Sequence, residues 1–375
     1  MKKLVILINS LESGGAERVV SNLLNTWVKR YDCYLILIHD YKFYELDKRV
    51  KIISLDEPKD LSGVVKLLRL PILAYKLSKI IQKNKFDKIV SFLTRANYIN
   101  VLSNIFIKHK IIINERAMPS LQYKYGLNGK INRFLIKYLY PKSDLCLSNS
   151  YGNMMDLKNK FKVINLNYIH NPFNIEMIEK MSKEEIEIKK KRFTFVTVGR
   201  LDKGKNHKLI IDAIRDIDAD LWIIGDGNLK EELQKYIKEL SLNDKVYLLG
   251  KKENPFAYIS KADCFVFASN HEGFPNVLLE SMICGCSVIS TDCLSGPREI
   301  LAPKSDINFQ LENNIELAEY GILTPIKNIE KMKEAMNFII DDDTLRKDYE
   351  EKAKNRANDF KIETIIKQYE KIINA

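Results

Sequence analysis

The stretch CFVFASNHEGFPNVLLE, residues 264–280, joins a strand, a loop and a helix start within one short segment. Its first five residues are apolar, which predicts a buried strand, and Pro275 sits where the first turn of a helix tolerates proline. Glu272 then lies in the loop before the helix and Glu280 lies inside it. Because free backbone N–H groups at a helix start attract anions, the segment predicts a site for a negative ligand that also carries hydroxyl groups.

The same alternation of strand and helix runs through the whole chain in two series. The first series is LVILIN (4–9), YLILIH (34–39), KIVSF (88–92), KIIINE (110–115) and DLCLSN (144–149). The second is FTFVTVG (193–199), LWIIG (221–225), VYLLG (246–250), CFVFAS (264–269), SVISTD (287–292) and GILT (321–324). Near-continuous apolar strands joined by helices predict parallel sheets covered on both faces. The expected fold class is therefore α/β, with two Rossmann-like, doubly wound domains that face a cleft.

The length of 375 residues also favours two domains. We expect a first domain at 1–170, a charge-dense linker at 171–192, and a second domain at 193–355. A C-terminal helix at 356–375 is expected to pack back toward the first domain. In such sheets ligands bind at the carboxyl ends of the strands, so functional residues should lie just after strands.

Composition bounds the cellular setting of the protein. No apolar run reaches the roughly 18–20 residues of a membrane span, and the run after Lys3 is too short for a signal peptide. The six cysteines form no C-x-x-C pair and show no metal-like spacing with the five histidines. We therefore expect a cytosolic protein with reduced cysteines.

No metal is predicted either. Asp216, Asp218 and Asp220 spell D-x-D twice, but they precede a strand, on the amino side of the sheet. A solvated turn is the better interpretation of that segment.

The net charge of +11 is concentrated in one region. Residues 61–175 carry 19 basic and 4 acidic side chains, whereas residues 176–375 carry 31 basic and 36 acidic ones. Within the basic region, the segments 62–85 and 130–142 interleave lysine and arginine with leucine, isoleucine and tyrosine. Such helices suit an anionic membrane surface or a diphosphate-linked lipid, and the alternative is helices packed on a sheet with their lysines in water. Nucleic acid fits less well, because the aromatic residues do not alternate with basic ones on a strand.

Several loops that follow strands carry candidate binding residues. SLESGGAER (10–18) places Gly14 and Gly15 before a helix, although a dinucleotide fingerprint would need a third glycine and a plain turn is equally consistent. Arg200 and Lys205 follow the strand at 193–199, where two cations could neutralise a diphosphate. Asp226 and Lys251 follow the next two strands, where ordinary turns are an equal interpretation.

These motifs resemble the family-4 type retaining glycosyltransferases of the two-domain GT-B architecture, over nearly the whole chain. SGGAERV, GRLDKGKNH, EGFPNVLLE and STDCLSGPREIL carry the resemblance. LLRLPILAYKL, FLIKYLYPKSDLCLSNS and LDKGKNH further resemble bacterial transferases that add N-acetylgalactosamine in the α-1,4 linkage to undecaprenyl-diphosphate-linked oligosaccharides of N-glycan assembly.

The resemblance implies roles for individual residues. Arg200, Lys205 and Glu272 are implied to be catalytic, with Glu272 facing the donor sugar and Glu280 binding the ribose hydroxyls. The implied donor-binding set is Gly14, Gly15, Arg200, Lys205, Asp226, Lys251, Glu272, Gly273, Phe274, Asn276, Val277 and Glu280. The implied acceptor-binding set is Glu17, Arg18, Arg95, Asn97, Glu115 and Arg116. Many family members have a histidine where this chain has Asn114-Glu115-Arg116, which leaves the sugar contact there open.

The resemblance also implies a UDP-sugar donor, a lipid-linked saccharide acceptor, no cofactor and a peripheral position on the cytoplasmic face of the inner membrane. Retention would follow front-face attack, in which the leaving phosphate takes the acceptor proton. The alternatives are a capsule or lipopolysaccharide glycosyltransferase with another nucleotide sugar, an epimerase or a glycogen-synthase-like polymerase. A non-catalytic nucleotide-sugar-binding protein and a dinucleotide-dependent oxidoreductase are further alternatives.

Overall fold

The computed structural model describes residues 1–12 and 14–374, which divide into two compact units. The first unit comprises residues 1–172 together with the last helix of the chain, and the second comprises Phe173–Lys361.

The first unit is built on a seven-stranded sheet. Its strands are β1 (Lys3–Ile8), β2 (Asp32–Leu37), β3 (Lys51–Ser54), β4 (Lys88–Phe92), β5 (Lys110–Glu115), β6 (Leu145–Ser148) and β7 (Leu166–Tyr168). Its helices are α1 (Gly15–Trp27), α2 (Gly63–Leu68), α3 (Leu70–Asn84), α4 (Thr94–Ser103), α5 (Pro119–Gln122), α6 (Gly126–Leu139), α7 (Tyr151–Phe161) and the last helix, α16 (Ile362–Asn374).

All described pairings of this sheet are parallel, in the order β3-β2-β1-β4-β5-β6-β7. The order reverses between β1 and β4, which is the point where doubly wound sheets bind ligands. Apolar clusters cover both faces of the sheet. The last helix belongs to one of them, because Ile365, Ile366 and Tyr369 are buried against residues of β1, β2 and α1.

The second unit repeats this plan around another seven-stranded sheet. Its strands are β8 (Thr194–Val198), β9 (Asp220–Ile224), β10 (Val246–Gly250), β11 (Cys264–Phe267), β12 (Ser287–Thr291), β13 (Glu316–Ala318) and β14 (Gly321–Thr324). Its helices are α8 (Ile175–Ser182), α9 (His207–Ala213), α10 (Lys230–Glu239), α11 (Pro255–Ile259), α12 (Asn276–Ile283), α13 (Pro297–Leu301), α14 (Ile329–Asp341) and α15 (Asp343–Ala357).

The order in this sheet is β10-β9-β8-β11-β12-β14-β13, with β13 antiparallel to its neighbour. The order reverses between β8 and β11, whose pairing is parallel. The loops that leave the carboxyl ends of these two strands therefore meet at the expected ligand site. Apolar clusters again lie on both faces.

Three strands of the structure are absent from the sequence prediction, namely β3, β7 and β13. Each is the edge strand of its sheet, three or four residues long, and partly exposed. An edge strand has one neighbour and keeps polar residues, so it lacks the continuous apolar run that reveals a central strand.

Two segment predictions need correction. The segment 171–192 was expected to be a linker, but it contains α8, and Ile175 and Ile178 are buried in the core of the second unit. The segment 62–85 is two helices rather than one, since Arg69 ends α2 and Pro71 occupies the first turn of α3. The C-terminal helix predicted at 356–375 is α16, which spans Ile362–Asn374 and belongs to the first unit.

Candidate active site

Hydrogen bonds join the loop after β8 to the loop after β11. The N–H of Asn270 donates to the carbonyl of Gly204 at 2.8 Å, and the Asn270 amide donates to the carbonyl of Lys203 at 3.0 Å. The carboxylate of Asp202 accepts from the N–H groups of Gly204 and Lys205 at 2.9 and 3.1 Å. The backbone around Lys205 is thus fixed from both sides before any ligand arrives.

Lys205 and Glu272 form an ion pair at the centre of this region. The Nζ atom of Lys205 lies 2.5 Å from Oε1 of Glu272, and 5.1 Å from the ring centre of Phe267. The side chains are 27% and 14% exposed, so the pair is half-buried yet open to solvent. The ammonium has three donors, and this geometry leaves it able to bind an anion while it holds Glu272.

Arg200 differs from Lys205 in its surroundings. Its side chain is 77% exposed, and its Nε lies 3.9 Å from Asp202, a weak contact in water. The structure thus fixes Lys205 in advance and leaves Arg200 extended from the same loop.

Helix α12 begins at Asn276, so Pro275 lies just before the first turn rather than in it. Pro275 is the N-cap, with the extended backbone typical of that position. Its start is held by the next loop: the Ser295 hydroxyl donates to the Gly273 carbonyl at 2.7 Å. Gly296 has a φ of +100°, and a Cβ atom there would lie 2.2 Å from Cδ of Pro275. Only glycine permits this approach.

The other residues predicted on this segment are placed at different depths. Phe274 is buried, its ring 5.8 Å from that of Phe360, so it can offer a ligand its backbone but not its ring. Asn276 and Val277 are half-buried at the helix start. Glu280 is buried at 5% exposure and lies four residues after Asn276, on the same helix face.

A buried histidine directly follows the Lys205 loop. His207 opens α9 at 3% exposure, and burial, with a further effect of the Lys205 charge, lowers its pKa to about 4. It is therefore neutral at pH 7. Because the neutral imidazole carries no charge, it does not repel the ammonium group of Lys205.

Two glycines allow the loops after β8 and β9 to pack closely together. Gly225 has a φ of +152°, and a Cβ there would lie 1.9 Å from the carbonyl oxygen of Gly199. At Gly227 a Cβ would lie 2.5 Å from the carbonyl oxygen of Leu201. The Asp226 carboxylate accepts from the Gly227 N–H at 2.8 Å and is 56% exposed, while Lys251 is exposed after β10.

Sequence reasoning missed the network that holds the loop after β12. Arg298 is buried and donates to Asp292 at 2.7 Å and to Glu316 at 2.9 Å. Asp292 also accepts from the Leu311 N–H at 2.9 Å. The charges six residues apart in STDCLSGPREIL were the available signal, but only the fold shows that they are buried together.

In the first unit, the glycine loop leads into α1 as predicted from its pattern. Gly14 is the extended N-cap of α1, and its carbonyl accepts from Tyr44 at 3.2 Å. Glu17 lies in the first turn, and burial raises its pKa. Arg18 follows it, half-buried. Ser13 of this loop lies outside the described residues.

Two residues of the implied acceptor-binding set are internal, which corrects that expectation. Asn97 is fully buried and bonds to Ser91, Asn114 and Tyr140. Glu115 is 1% exposed and accepts from Thr94 at 3.1 Å and from Tyr140 at 2.5 Å, and burial raises its pKa. Both side chains are occupied by hydrogen bonds within the first unit.

Arg95 is also committed to a structural contact. It donates two hydrogen bonds to Glu57, whose side chain is fully buried and also pairs with Arg69 at 3.0 Å. Although burial opposes ionisation, the two arginines lower the pKa of Glu57. Arg116, by contrast, is half-buried at the end of β5.

Among residues 1–12 and 14–374, no group of three or more histidine, cysteine or acidic side chains is placed to hold a metal ion. The D-x-D aspartates instead form ion pairs, Asp218 and Asp220 with Arg192 and Asp216 with Lys333. Within the described part of the chain, no helix is both long and apolar enough to span a membrane.

Known proteins are similar to this chain in sequence and in fold. The family model "Glycosyl transferases group 1" matches residues 179–356. The chain is 40% identical, over 96% of its length and 96% of the relative, to N-acetylgalactosamine-N,N'-diacetylbacillosaminyl-diphospho-undecaprenol 4-alpha-N-acetylgalactosaminyltransferase of Campylobacter jejuni. The chain belongs to the group 1 glycosyltransferases.

Two further similarities extend this finding. The α-1,4-N-acetyl-D-galactosaminyltransferase of Campylobacter jejuni that acts on GalNAc-alpha-(1->4)-GalNAc-alpha-(1->3)-diNAcBac-PP-undecaprenol is 28% identical over 100% of this chain and 98% of that protein. Sucrose-phosphate synthase from Thermosynechococcus elongatus superposes with a TM-score of 0.84 at 15% identity, over 100% of this chain and 98% of that one. The fold is GT-B, as the sequence predicted.

The glycosyltransferase family assignment decides between the alternatives left open by the sequence. The chain is an enzyme that transfers a glycosyl group, so the oxidoreductase and the non-catalytic binding protein are set aside. The matched segment includes both Lys205 and Glu272. The Lys205–Glu272 pair therefore lies in the part of this glycosyltransferase that matches the family model.

Proposed function

We propose that the protein transfers N-acetylgalactosamine, in α linkage and with retention, from UDP-N-acetylgalactosamine to a saccharide linked to undecaprenyl diphosphate. The setting is glycan assembly on the cytoplasmic face of the inner membrane, including protein N-glycosylation. The 40% identical relative supports the choice of sugar and acceptor, since its name states both. The UDP donor is inferred from the resemblance to the family, and the site supplies a cation and a carboxylate that suit any nucleotide sugar.

The ion pair of Lys205 and Glu272 is the observation that carries the proposal. It places a cation and a carboxylate 2.5 Å apart beside the start of α12, at the switch point of a doubly wound sheet. A nucleotide sugar needs both groups close together, because its diphosphate is anionic and its sugar presents hydroxyl donors. In our proposal Lys205 binds the diphosphate and Glu272 accepts from the sugar hydroxyls.

Transfer breaks the bond between the anomeric carbon and the diphosphate, so negative charge develops on the leaving oxygen. Lys205, Arg200 and the free N–H groups at the start of α12 would stabilise that charge. The leaving phosphate would take the proton of the attacking acceptor hydroxyl on the same face of the sugar. This route gives retention and requires neither a protein base nor a metal cofactor.

The buried carboxylate of Glu280 fits the ribose in this proposal. The ribose hydroxyls of the donor would reach the Glu280 carboxylate along the face of α12 on which Asn276 also lies. Asp226 and Lys251, which follow β9 and β10, complete the proposed donor-binding set, with Gly273 and Val277 contributing backbone.

A screen of donors and acceptors tests the proposed function directly. Purified protein is incubated with UDP-N-acetylgalactosamine, UDP-N-acetylglucosamine, UDP-galactose or UDP-glucose and undecaprenyl-diphosphate-linked or soluble saccharides, and products are read by mass. We expect one N-acetylhexosamine or more to be added from UDP-N-acetylgalactosamine to the lipid-linked acceptor, with α configuration by NMR. A clear preference for another nucleotide sugar would overturn the choice of donor.

We further propose that two surfaces of the first unit contact the membrane. One, on α2 and α3, exposes Val64, Leu68, Ile72 and Tyr75 beside basic residues. The other, on α6, exposes Leu127, Phe134 and Tyr138 together with Lys130 and Lys137. Apolar side chains flanked by lysines favour an anionic lipid surface.

Vesicle binding tests this membrane proposal. Phe134→Glu and Leu68→Glu should each weaken sedimentation with vesicles that contain anionic phospholipid, and high salt should weaken it further. Leu317→Glu is the matched control, because Leu317 is an exposed apolar residue of the second unit. Equal sedimentation of all variants would refute the two surfaces.

A further inference from the structure

Arg116 is held in place by contacts from two distant parts of the first unit. Its Nη1 donates to the hydroxyl of Tyr369 at 3.3 Å, and its Nη2 donates to Oδ1 of Asn171. The guanidinium carbon lies 5.7 Å from the ring centre of Phe92, the last residue of β4. The side chain therefore extends from the end of β5 over the end of β4, next to the point where the strand order reverses.

The backbone of Arg116 is fixed as well. Its N–H donates to the buried carboxylate of Glu115 at 2.9 Å, and its carbonyl accepts from Asn149 at 3.2 Å. Tyr369 is itself fully buried, with its ring edge-on to Trp27 at 5.9 Å. The last helix thus brings a rigid hydroxyl to the end of the first sheet.

The guanidinium of Arg116 makes no described hydrogen bond to a carboxylate, although burial raises the pKa of Glu17 and the charge of Arg116 opposes that rise. Throughout the described part of the first unit, every hydrogen bond of its guanidinium goes to a neutral group. By contrast, Arg95 and Arg69 of the same unit both pair with the carboxylate of Glu57. Neutral hydrogen-bond partners leave the charge of this half-buried guanidinium unpaired at hydrogen-bond distance, and a phosphate group would satisfy its remaining donors in a bidentate manner.

We propose that Arg116 binds the diphosphate of a substrate, and that Tyr369 and Asn171 position its guanidinium for that contact. This inference rests on the proposed function, which supplies two diphosphates, one in the nucleotide sugar and one in the lipid-linked acceptor. The shared chemistry is a diphosphate ester, and kinetics can assign it to one substrate or the other.

The experiment compares Arg116→Gln, Arg116→Lys and Tyr369→Phe with the wild type, each substrate being varied in turn. Arg116→Gln should raise the KM of one substrate about tenfold or more. Arg116→Lys should raise the same KM less, because it keeps the positive charge. Tyr369→Phe keeps the ring on Trp27 and removes only the hydroxyl, so it should raise the same KM about threefold. A raised KM for the UDP-sugar, with weaker inhibition by UDP, assigns the donor, and a raised KM for the acceptor assigns the lipid diphosphate.

Arg30→Ala is the matched control. Arg30 pairs with Glu370 on the same last helix at 3.3 Å but is 70% exposed, so its loss tests the docking of that helix without touching Arg116. Its kinetics should equal those of the wild type. The inference is overturned if Arg116→Gln leaves both KM values and kcat within twofold. It is also overturned if activity falls only in step with the melting temperature and lysine is no better than glutamine.

A binding measurement separates this inference from the proposed function. If the wild type transfers no sugar from any UDP-sugar, the proposed function fails. The binding of inorganic pyrophosphate still tests the role of Arg116. Calorimetry is then performed in the Lys205→Ala background, which weakens the site of the second unit. A tenfold loss of pyrophosphate affinity on adding Arg116→Gln supports the inference, and equal affinity overturns it.

Discussion

The carboxyl ends of the two sheets use charged residues in opposite ways. In the second unit, Lys205 and Glu272 form a pair that remains partly exposed. In the first unit, the side chain of Glu57 is completely buried between two arginines, and Glu115 is enclosed by Thr94 and Tyr140. The Lys205–Glu272 pair of the second unit is thus held ready for a ligand, whereas Glu57 and Glu115 of the first unit are engaged by the architecture of that unit.

The largest expected effect tests the exposed pair. Lys205→Ala removes the cation nearest the expected leaving group and should reduce kcat about 10²–10³-fold, as the loss of one preorganised charge-stabilising donor does in other enzymes. Arg200→Ala should also reduce transfer strongly, though less, because Arg200 is 77% exposed and less fixed. Folding should be unaffected in both variants.

Lys203→Ala is the control for these two, since Lys203 is exposed in the same loop. Initial rates at saturating donor are the measurement, with far-UV circular dichroism as the check on folding. Near-normal turnover by Lys205→Ala would falsify the assignment of the diphosphate to this loop.

The next prediction places the two kinds of carboxylate side by side. Glu57→Gln leaves Arg69 and Arg95 near a neutral group, and breaking such a buried pair should cost about 3 kcal/mol of unfolding free energy. Glu272→Gln should cost little stability, because its pair with Lys205 is partly solvated, yet it should reduce transfer at least tenfold. Urea unfolding and initial rates of both variants give the four values needed.

If Glu57→Gln proved inactive but fully stable, the contrast between the two sheets would be lost. The contrast would also be lost if Glu272→Gln strongly destabilised the protein and the molecules that stayed folded had normal turnover.

This contrast also explains what the sequence could and could not predict. The central strands and the Lys205–Glu272 region were predictable, because apolar runs and short loops at strand ends fix them locally. Whether an acid such as Glu115 faces a ligand or the interior depends on Tyr140 and Thr94, which lie 25 and 21 residues away in the sequence. The partners of Arg116 are farther still, Tyr369 being separated from it by 253 residues. No local pattern records such contacts.

The protonation of His207 should contribute to the pH dependence of the free energy of unfolding. Burial lowers its pKa to about 4 in the folded protein, against 6.5 when the side chain is free. The folded state therefore resists protonation, so this contribution is fully present above pH 6.5 and is lost as the pH falls toward 4. The loss should reach about 2 kcal/mol by pH 5, and His207→Gln should remove it.

Urea unfolding at pH 7 and pH 5 measures this dependence, and the difference between the two is compared across variants. His271→Gln is the control, because His271 is exposed in the loop after β11. An unchanged difference in His207→Gln would show that other groups carry the acid sensitivity.

The smallest expected effect concerns Asp226, an implied donor-binding residue. Its carboxylate accepts from the Gly227 N–H and is 56% exposed, so its side chain serves its own turn. Asp226→Asn keeps an oxygen for that hydrogen bond, and we expect the KM for the UDP-sugar to change less than about threefold, which corresponds to roughly 0.6 kcal/mol. The backbone at this position is shaped instead by Gly225, which approaches Gly199 too closely for any side chain. A tenfold rise in KM would mean that the carboxylate itself contacts the donor, and the second sheet would then bind its ligand through three charged loops rather than two.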